Sequence, residues 1–200
     1  MFSGNYKKME LSGTCERPEG SFTLQAVIMK RYLLFLLLVL TFLSCRRDEN
    51  KLFELVYEGA IEIPPGLNPV ESHFSRTAEI FTNLNAELNA RGLTLSDIRS
   101  IQPIEVRLRP DIGFVDYRSF TEMNAFIVSV TDPDDRLEVG FALDPRIFDN
   151  SVVNLIPGIA DVKEYLDDGI IYLQLRFRVQ EIPLSRTQHI LRVRFQVSGK

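Results

Sequence analysis

Beyond residue 52, apolar and polar residues alternate one by one over most of the chain. Phe53, Leu55, Tyr57, Ile61 and Ile63 fall on one face of an extended segment, and Glu54, Glu58 and Glu62 on the other. Side chains of a strand point to opposite faces in turn, so this period of two predicts a half-buried strand. Pro64-Pro65-Gly66 ends it, and 67–74 reads as loop. Ile104, Val106 and Leu108 alternate with Glu105, Arg107 and Arg109 in a second strand that Pro110-Asp111-Ile112-Gly113 breaks. Residues 120–131 place Phe126, Val128 and Val130 on one face. After the turn Asp132-Pro133-Asp134-Asp135, the residues Leu137, Val139, Phe141 and Leu143 return as the other arm of a hairpin. Residues 152–156 form a short apolar run with the character of an edge strand. Asp168-Gly169 opens the longest alternation, Ile171, Leu173, Leu175, Phe177 and Val179. Leu191, Val193, Phe195 and Val197 make the last strand, and the linker around Pro183 suits a loose hairpin between these two.

Two stretches break this rhythm. In 82–91, Leu84 and Leu88 stand four apart among good helix formers, with Gly92 just past the end, and Ser96-Asp97-Ile98 adds a further turn. Asp161 caps a turn or two through Leu166. About seven alternating strands with one or two short helices predict a mainly β domain, an antiparallel β-sandwich of immunoglobulin-like or jelly-roll-like form. A small barrel is the second choice.

One apolar segment has a different character. Lys30 and Arg31 precede an unbroken run at 32–43, followed by Ser44 and Cys45. The run is too short for a spanning helix, which needs about 20 residues, and it lacks the polar face of a core helix. A cationic start, a short apolar middle and a small residue before the cut describe an export signal. Phe42-Leu43-Ser44-Cys45 resembles the lipobox of bacterial lipoproteins. That resemblance implies diacylglycerol on the Cys45 sulfur, cleavage before Cys45 and acylation of the new amine. Phe42 stands where Leu is usual. Phe at that place, and Arg46-Arg47-Asp48-Glu49 after the cysteine, resemble lipoprotein signals of the Bacteroidota. On this reading 29–44 is the signal peptide, 45–52 a tether and 53–200 the folded domain. Residues 1–28, aperiodic and polar, are an over-extended start ahead of Met29.

Five of the 23 basic and three of the 27 acidic residues precede Cys45, leaving a net charge of −6 from Cys45 onward. Such a balance argues against nucleic acid, whose phosphates call for a basic face. With Cys15 in the leader and Cys45 lipidated, no thiol remains for a disulfide, a thiolate metal site or a nucleophile. Trp is absent, which disfavours a carbohydrate-stacking platform unless Tyr and Phe serve instead.

Three Arg-apolar-Arg triplets stand out: Arg107 and Arg109, Arg176 and Arg178, Arg192 and Arg194. In each, both guanidiniums share one strand face. If the last two strands pair, four of them lie side by side and form a candidate face for anionic partners, since Arg binds oxyanions bidentately. The plainer reading is a cross-strand ladder with Glu54, Glu58, Glu62, Glu105 and Glu181 on a solvated face, and it is the one favoured here. Asn68, Glu71 and His73 share a loop and are the metal candidates, set against simple turn chemistry. The Asp132-Asp135 group lacks the glycine and glutamate of an EF-hand loop. His73 and His189 are the only histidines, and no Gly-x-Ser-x-Gly, His-Glu-x-x-His or phosphate-loop pattern is present. The segment 63–74, with Pro64-Pro65-Gly66-Leu67-Asn68 and Glu71-Ser72-His73-Phe74, resembles a stretch of uncharacterised Bacteroidota lipoproteins.

The expectation is therefore a lipid-anchored lipoprotein of the cell envelope, at the outer membrane on its periplasmic face or at the cell surface. Its domain is a non-catalytic binding or scaffolding module without cofactor, held to the membrane by lipid, with an envelope protein or glycan as partner. A small-ligand or glycan-binding module is the alternative, and a small envelope hydrolase comes third.

Overall fold

The computed structural model describes residues 50–113, 115–144 and 152–200. The leader 1–28, the signal 29–44, Cys45 and Asp149 lie outside the described residues. The elements are β1 (Lys51–Ile63), β2 (His73–Arg76), β3 (Ile80–Phe81), α1 (Leu84–Ala90), β4 (Ile98–Pro110), β5 (Phe120–Val128), β6 (Arg136–Leu143), β7 (Val153–Pro157), α2 (Lys163–Asp167), β8 (Ile170–Val179) and β9 (Thr187–Gly199). Short 3₁₀ turns at Leu95–Asp97 and Tyr117–Ser119 precede β4 and β5.

All ladders are antiparallel and run in the order β1-β9-β4-β7-β6-β5-β8-β2, with β3 added to β8. With β3 set aside, the remaining strands pair first with last, second with second-last, and so inward to β5 with β6. That is a long hairpin rolled around a core, the jelly-roll form of sandwich. It is not the immunoglobulin form, in which the first and last strands belong to different sheets. One sheet holds β1, β9, β4 and β7, and the other holds β6, β5, β8 and β2. Phe195, Val193 and Leu191 of the first sheet and Leu173, Leu175 and Phe177 of the second are buried in the same core. Each such side chain contributes about 1.5–3 kcal/mol through removal from water.

The alternating segments became the expected strands, with one face reversed: β5 is apolar on both sides, and Met123, Ala125 and Ile127 enter the core while Phe126 and Val128 face outward. The placing of three segments also differs. The last two strands, β8 and β9, do not pair; the segment around Pro183 crosses from one sheet to the other. Residues 152–156 are not an edge: Val153 and Leu155 pair with β4, while Ile156 and Pro157 pair with β6, so β7 is the corner joining the sheets. The loop 67–74 holds the start of β2. Its short strand and β3 pack beside β8, and their alternation is too brief to stand out in the sequence.

Two glycines mark where the sheets meet. A Cβ on Gly140 would sit 2.9 Å from Val106 Cγ2 and 3.2 Å from the Ile156 carbonyl oxygen, so only glycine lets β6 approach β4 and β7 at the corner. At the other edge, a Cβ on Gly59 would sit 2.8 Å from Thr77 Cβ. There Ser75 Oγ donates to the Glu62 carbonyl at 2.7 Å and accepts from the Glu62 N–H at 3.2 Å, tying β2 to β1 through a side chain. The sandwich is thus curled almost to closure, which protects its edges.

The helices close one end. Leu84 and Leu88 of α1 are buried, and Tyr57 Oη donates to Asn83 Oδ1 at 3.0 Å. Gly92, at φ 66°, follows the helix in the left-handed conformation expected of it. The Asp161 carboxylate accepts from Lys163 N–H at 3.1 Å at the start of α2 and from Ile101 N–H at 2.8 Å, which docks the helix on β4.

Candidate functional site

The strand registers build two different outer faces. On the first sheet, Glu58, Arg192 and Arg107 form one cross-strand row, and Val56, Arg194 and Glu105 the next. Arg192 pairs with Glu58 at 3.1 Å. Arg194 pairs with Glu105 and, at 3.5 Å, with Glu54. Arg107 pairs with Glu105 at 3.0 Å and donates to Asn154 Oδ1 at 3.1 Å. Arg107 and Arg192 are like charges directly opposite, an arrangement the flanking carboxylates offset. Arg109 is exposed at the end of this face and donates to the Pro110 carbonyl.

Arg176 and Arg178 lie on the outer face of the second sheet, away from these four. The six arginines therefore make no single anionic-partner face, because the pairing that would have united them does not form.

On the second sheet, four rows run across the strands. Arg178 and Glu122 open the series. Phe74, Arg176, Asn124 and Phe141 follow, then Arg76, Gln174, Phe126 and Glu138, and last Tyr172, Val128 and Arg136. Unbroken alternation would have turned Phe141 and Leu143 inward with Leu137 and Val139. A bulge opposite Ala125 and Phe126 adds a residue to β6 and turns both outward. Phe74 is 49% exposed. The Arg136 guanidinium lies between two rings, 5.2 Å from Phe74 and 5.5 Å from Phe126, and donates to Gln174 Oε1 at 3.4 Å. Arg76 lies 4.4 Å over the Tyr172 ring. Arg176 donates to Glu122 at 2.7 Å and to Asn124 Oδ1 at 3.0 Å, and the Asn124 amide donates to Glu138 at 2.8 Å.

A third surface lies at the end of the sandwich away from Asn50. Loops leave the adjacent ends of β1, β4 and β9 there. Gly66 N–H donates to the Pro183 carbonyl and Asp111 N–H to the Gln188 carbonyl, both at 2.9 Å. These loops expose Val70 (81%), Ile112 (83%), Ile182 (56%) and Leu184 (95%). They also carry Pro64, Pro65, Pro69, Pro110 and Pro183, half of the chain's 10 prolines, which stiffen the backbone that presents them. Glu71, Asp111 and Glu181 adjoin them in the chain, Arg186 pairs with Glu62 at 3.2 Å, and Arg109 stands at the neighbouring end of β4. Phe81 and Ile159 are also exposed, but singly and toward the other end.

Asn68, Glu71 and His73 belong to this loop end. Asn68 Oδ1 accepts from Val70 N–H at 3.0 Å and its carbonyl from Glu71 N–H at 3.3 Å, while His73 Nε2 bonds the same carbonyl at 2.8 Å. The side chains shape a turn, and no group of three acidic, His or Cys side chains among the described residues is placed to hold a metal.

His189 is fully buried. Its Nδ1 bonds Tyr117 Oη at 2.7 Å and its Nε2 bonds Thr187 Oγ1 at 2.8 Å. Desolvation pulls its pKa down to about 4, so the ring is neutral, and burial pushes the Tyr117 phenol up. A hydroxyl on each nitrogen satisfies the ring without a carboxylate. The sequence signal for this pair was slight: His189 occupies an inward position of an otherwise apolar alternation.

Among the described residues no helix is long and apolar enough to cross a membrane. No known protein family matches the chain, and no curated protein matches it.

Proposed function

We propose that this protein is a lipid-anchored lipoprotein of a bacterial cell envelope, of Bacteroidota type, held at the outer membrane through Cys45. Its jelly-roll domain acts as a non-catalytic docking module. The observation that supports docking is the apolar loop end: four strongly exposed aliphatic side chains on three adjoining, proline-stiffened loops. β1 runs 13 residues from the Asn50 end to these loops, about 40 Å at strand rise. A partner held there would stand well clear of the end at which the chain enters the domain.

Apolar side chains at the centre of such a surface, ringed by charge, are the anatomy of a protein contact. Stiff loops lose little freedom on binding, which favours affinity. Glu71, Asp111 and Glu181 on the same loops disfavour an anionic bilayer as the occupant. They fit a protein with an apolar pocket and a basic rim.

Photo-crosslinking residues placed at Val70, Ile112 and Leu184, one at a time in the source cells, should each trap the same envelope protein. A residue placed at Arg107 should not. Charging the loops with Ile112→Asp and Leu184→Asp should lower the adduct yield at least tenfold without changing the melting temperature. Adducts that are absent, or equal at all four positions, would sink the docking role.

A further inference from the structure

We propose that the outer face of the second sheet binds an acidic polysaccharide, with Arg76, Arg136 and Arg178 holding uronate carboxylates and a sugar ring lying against the half-exposed Phe74. The two outer faces differ in how their charge is settled. On the first, Arg107, Arg192 and Arg194 each bond a glutamate, and Arg109 at its end does not. On the second, Arg176 alone does so. Among the described residues Arg76, Arg136 and Arg178 have no carboxylate partner, on a domain whose net charge is −6.

The acids of that face are already engaged. Glu122 takes Arg176, Glu138 takes the Asn124 amide, and Glu79 takes the Tyr172 hydroxyl at 3.1 Å. Glu138 and Glu79 bond neutral donors and keep their charge, so four arginines stand against three glutamates and the face stays positive by one charge. The charge left over selects an anionic ligand.

The rings decide which anion. Arg76 lies over Tyr172 and Arg136 between Phe74 and Phe126, contacts to ring faces that engage the charge without using the N–H donors on a carboxylate. Phe74 remains half exposed beside them, and Tyr172 and Phe126 continue the apolar strip. Alternating planar apolar patches and fixed oxyanion donors match a chain of pyranose rings that bear carboxylates. The amide nitrogen of Gln174, whose oxygen is held by Arg136, offers a donor to a hydroxyl group. From Arg178 to Tyr172 the face extends about 20 Å along β8, the length of a short oligosaccharide.

Calorimetric titration of the full chain in detergent with polygalacturonate tests the assignment. Binding is expected, and the fully methyl-esterified polymer, which keeps the sugar and loses the charge, should bind at least tenfold more weakly. Arg76→Gln with Arg136→Gln, and separately Phe74→Ala, should each weaken binding at least tenfold, with melting temperatures showing that each variant is folded. Arg107→Gln with Arg192→Gln on the opposite face should leave it unchanged. Polyglutamate bound as tightly as polygalacturonate would overturn the sugar assignment. Insensitivity to the Arg76 and Arg136 changes would overturn the site, and failure to bind polygalacturonate, alginate and hyaluronate alike would overturn the proposal.

Discussion

Among single residues, buried His189 ties stability to pH. Its folded pKa of about 4 lies below the ordinary 6.5 because burial penalises the charged ring. Between these values the unfolded chain binds a proton that the folded chain does not, so stability falls as pH drops. The contribution is complete above about pH 6.5 and is lost on the way down to about pH 4. A shift of this size corresponds to about 3 kcal/mol. Since 1 kcal/mol moves the melting temperature of a domain this large by about 2–4 °C, Tm should drop by about 5–10 °C between pH 7 and pH 4.5. His189→Phe should flatten that slope, whatever it costs at pH 7 through the stranded Tyr117 hydroxyl. Parallel slopes in the two proteins would assign the titration elsewhere. Glu54, Asp97 and Asp116 have pKa values lowered by their hydrogen bonds to Lys51, Thr94 and Arg118, so their contributions are lost only as pH falls through the unperturbed values of 4.5 and 3.8, at the low end of the histidine's window and below it.

At the scale of elements, the strands were legible wherever one face meets water. β1, β8 and β9 alternate strictly enough to be read directly, as does the second half of β4, whose first half is interrupted by two register shifts, and α1 showed in the spacing of Leu84 and Leu88 with Gly92 behind them. Elements whose place depends on neighbours were not. β7 is short and apolar, which is equally consistent with an edge and with a corner, and only its split pairing with β4 and β6 decides. The β6 bulge removes Phe141 and Leu143 from the core, a change no alternation announces. Gly140 is the residue on which this corner turns. Gly140→Ala should lower unfolding free energy by about 1–3 kcal/mol, since Val106 and the Ile156 backbone must both yield to the new Cβ. Urea unfolding measures it, and a loss below about 0.5 kcal/mol would mean that the corner is looser than its contacts imply.

At the scale of the whole molecule, the jelly roll places the first and last strands side by side, so β1 and β9 pair across almost the full length of the domain. The rolling also separates three surfaces: a charge-matched face, an aromatic and arginine-bearing face, and an apolar loop end. Their arrangement gives an anchored protein one end free for contact. In the proposed anchoring, lipid on Cys45 holds the chain, since several acyl chains on one residue bind stably where one does not. Cys45→Ala should therefore move the protein from the membrane fraction to the soluble fraction of the envelope. Retention of the variant in the membrane would show that another element holds it.

Local periodicity and propensities acting over a few residues were enough for the mainly β class, the two short helices and the apolar faces of β1, β8 and β9, but not for those of β5 and β6. The sequence by itself also set the pattern of the Arg-apolar-Arg triplets. Which triplets would share a face was decided only by tertiary structure. β9 inserts between β1 and β4, where its arginines meet Glu54, Glu58 and Glu105, and β8 inserts between β2 and β5, where Arg176 meets Glu122 and Asn124. The reason is physical. Strand pairing is a long-range choice, made by how two apolar faces and a rolled hairpin best exclude water, and alternation within a strand carries no record of its neighbour.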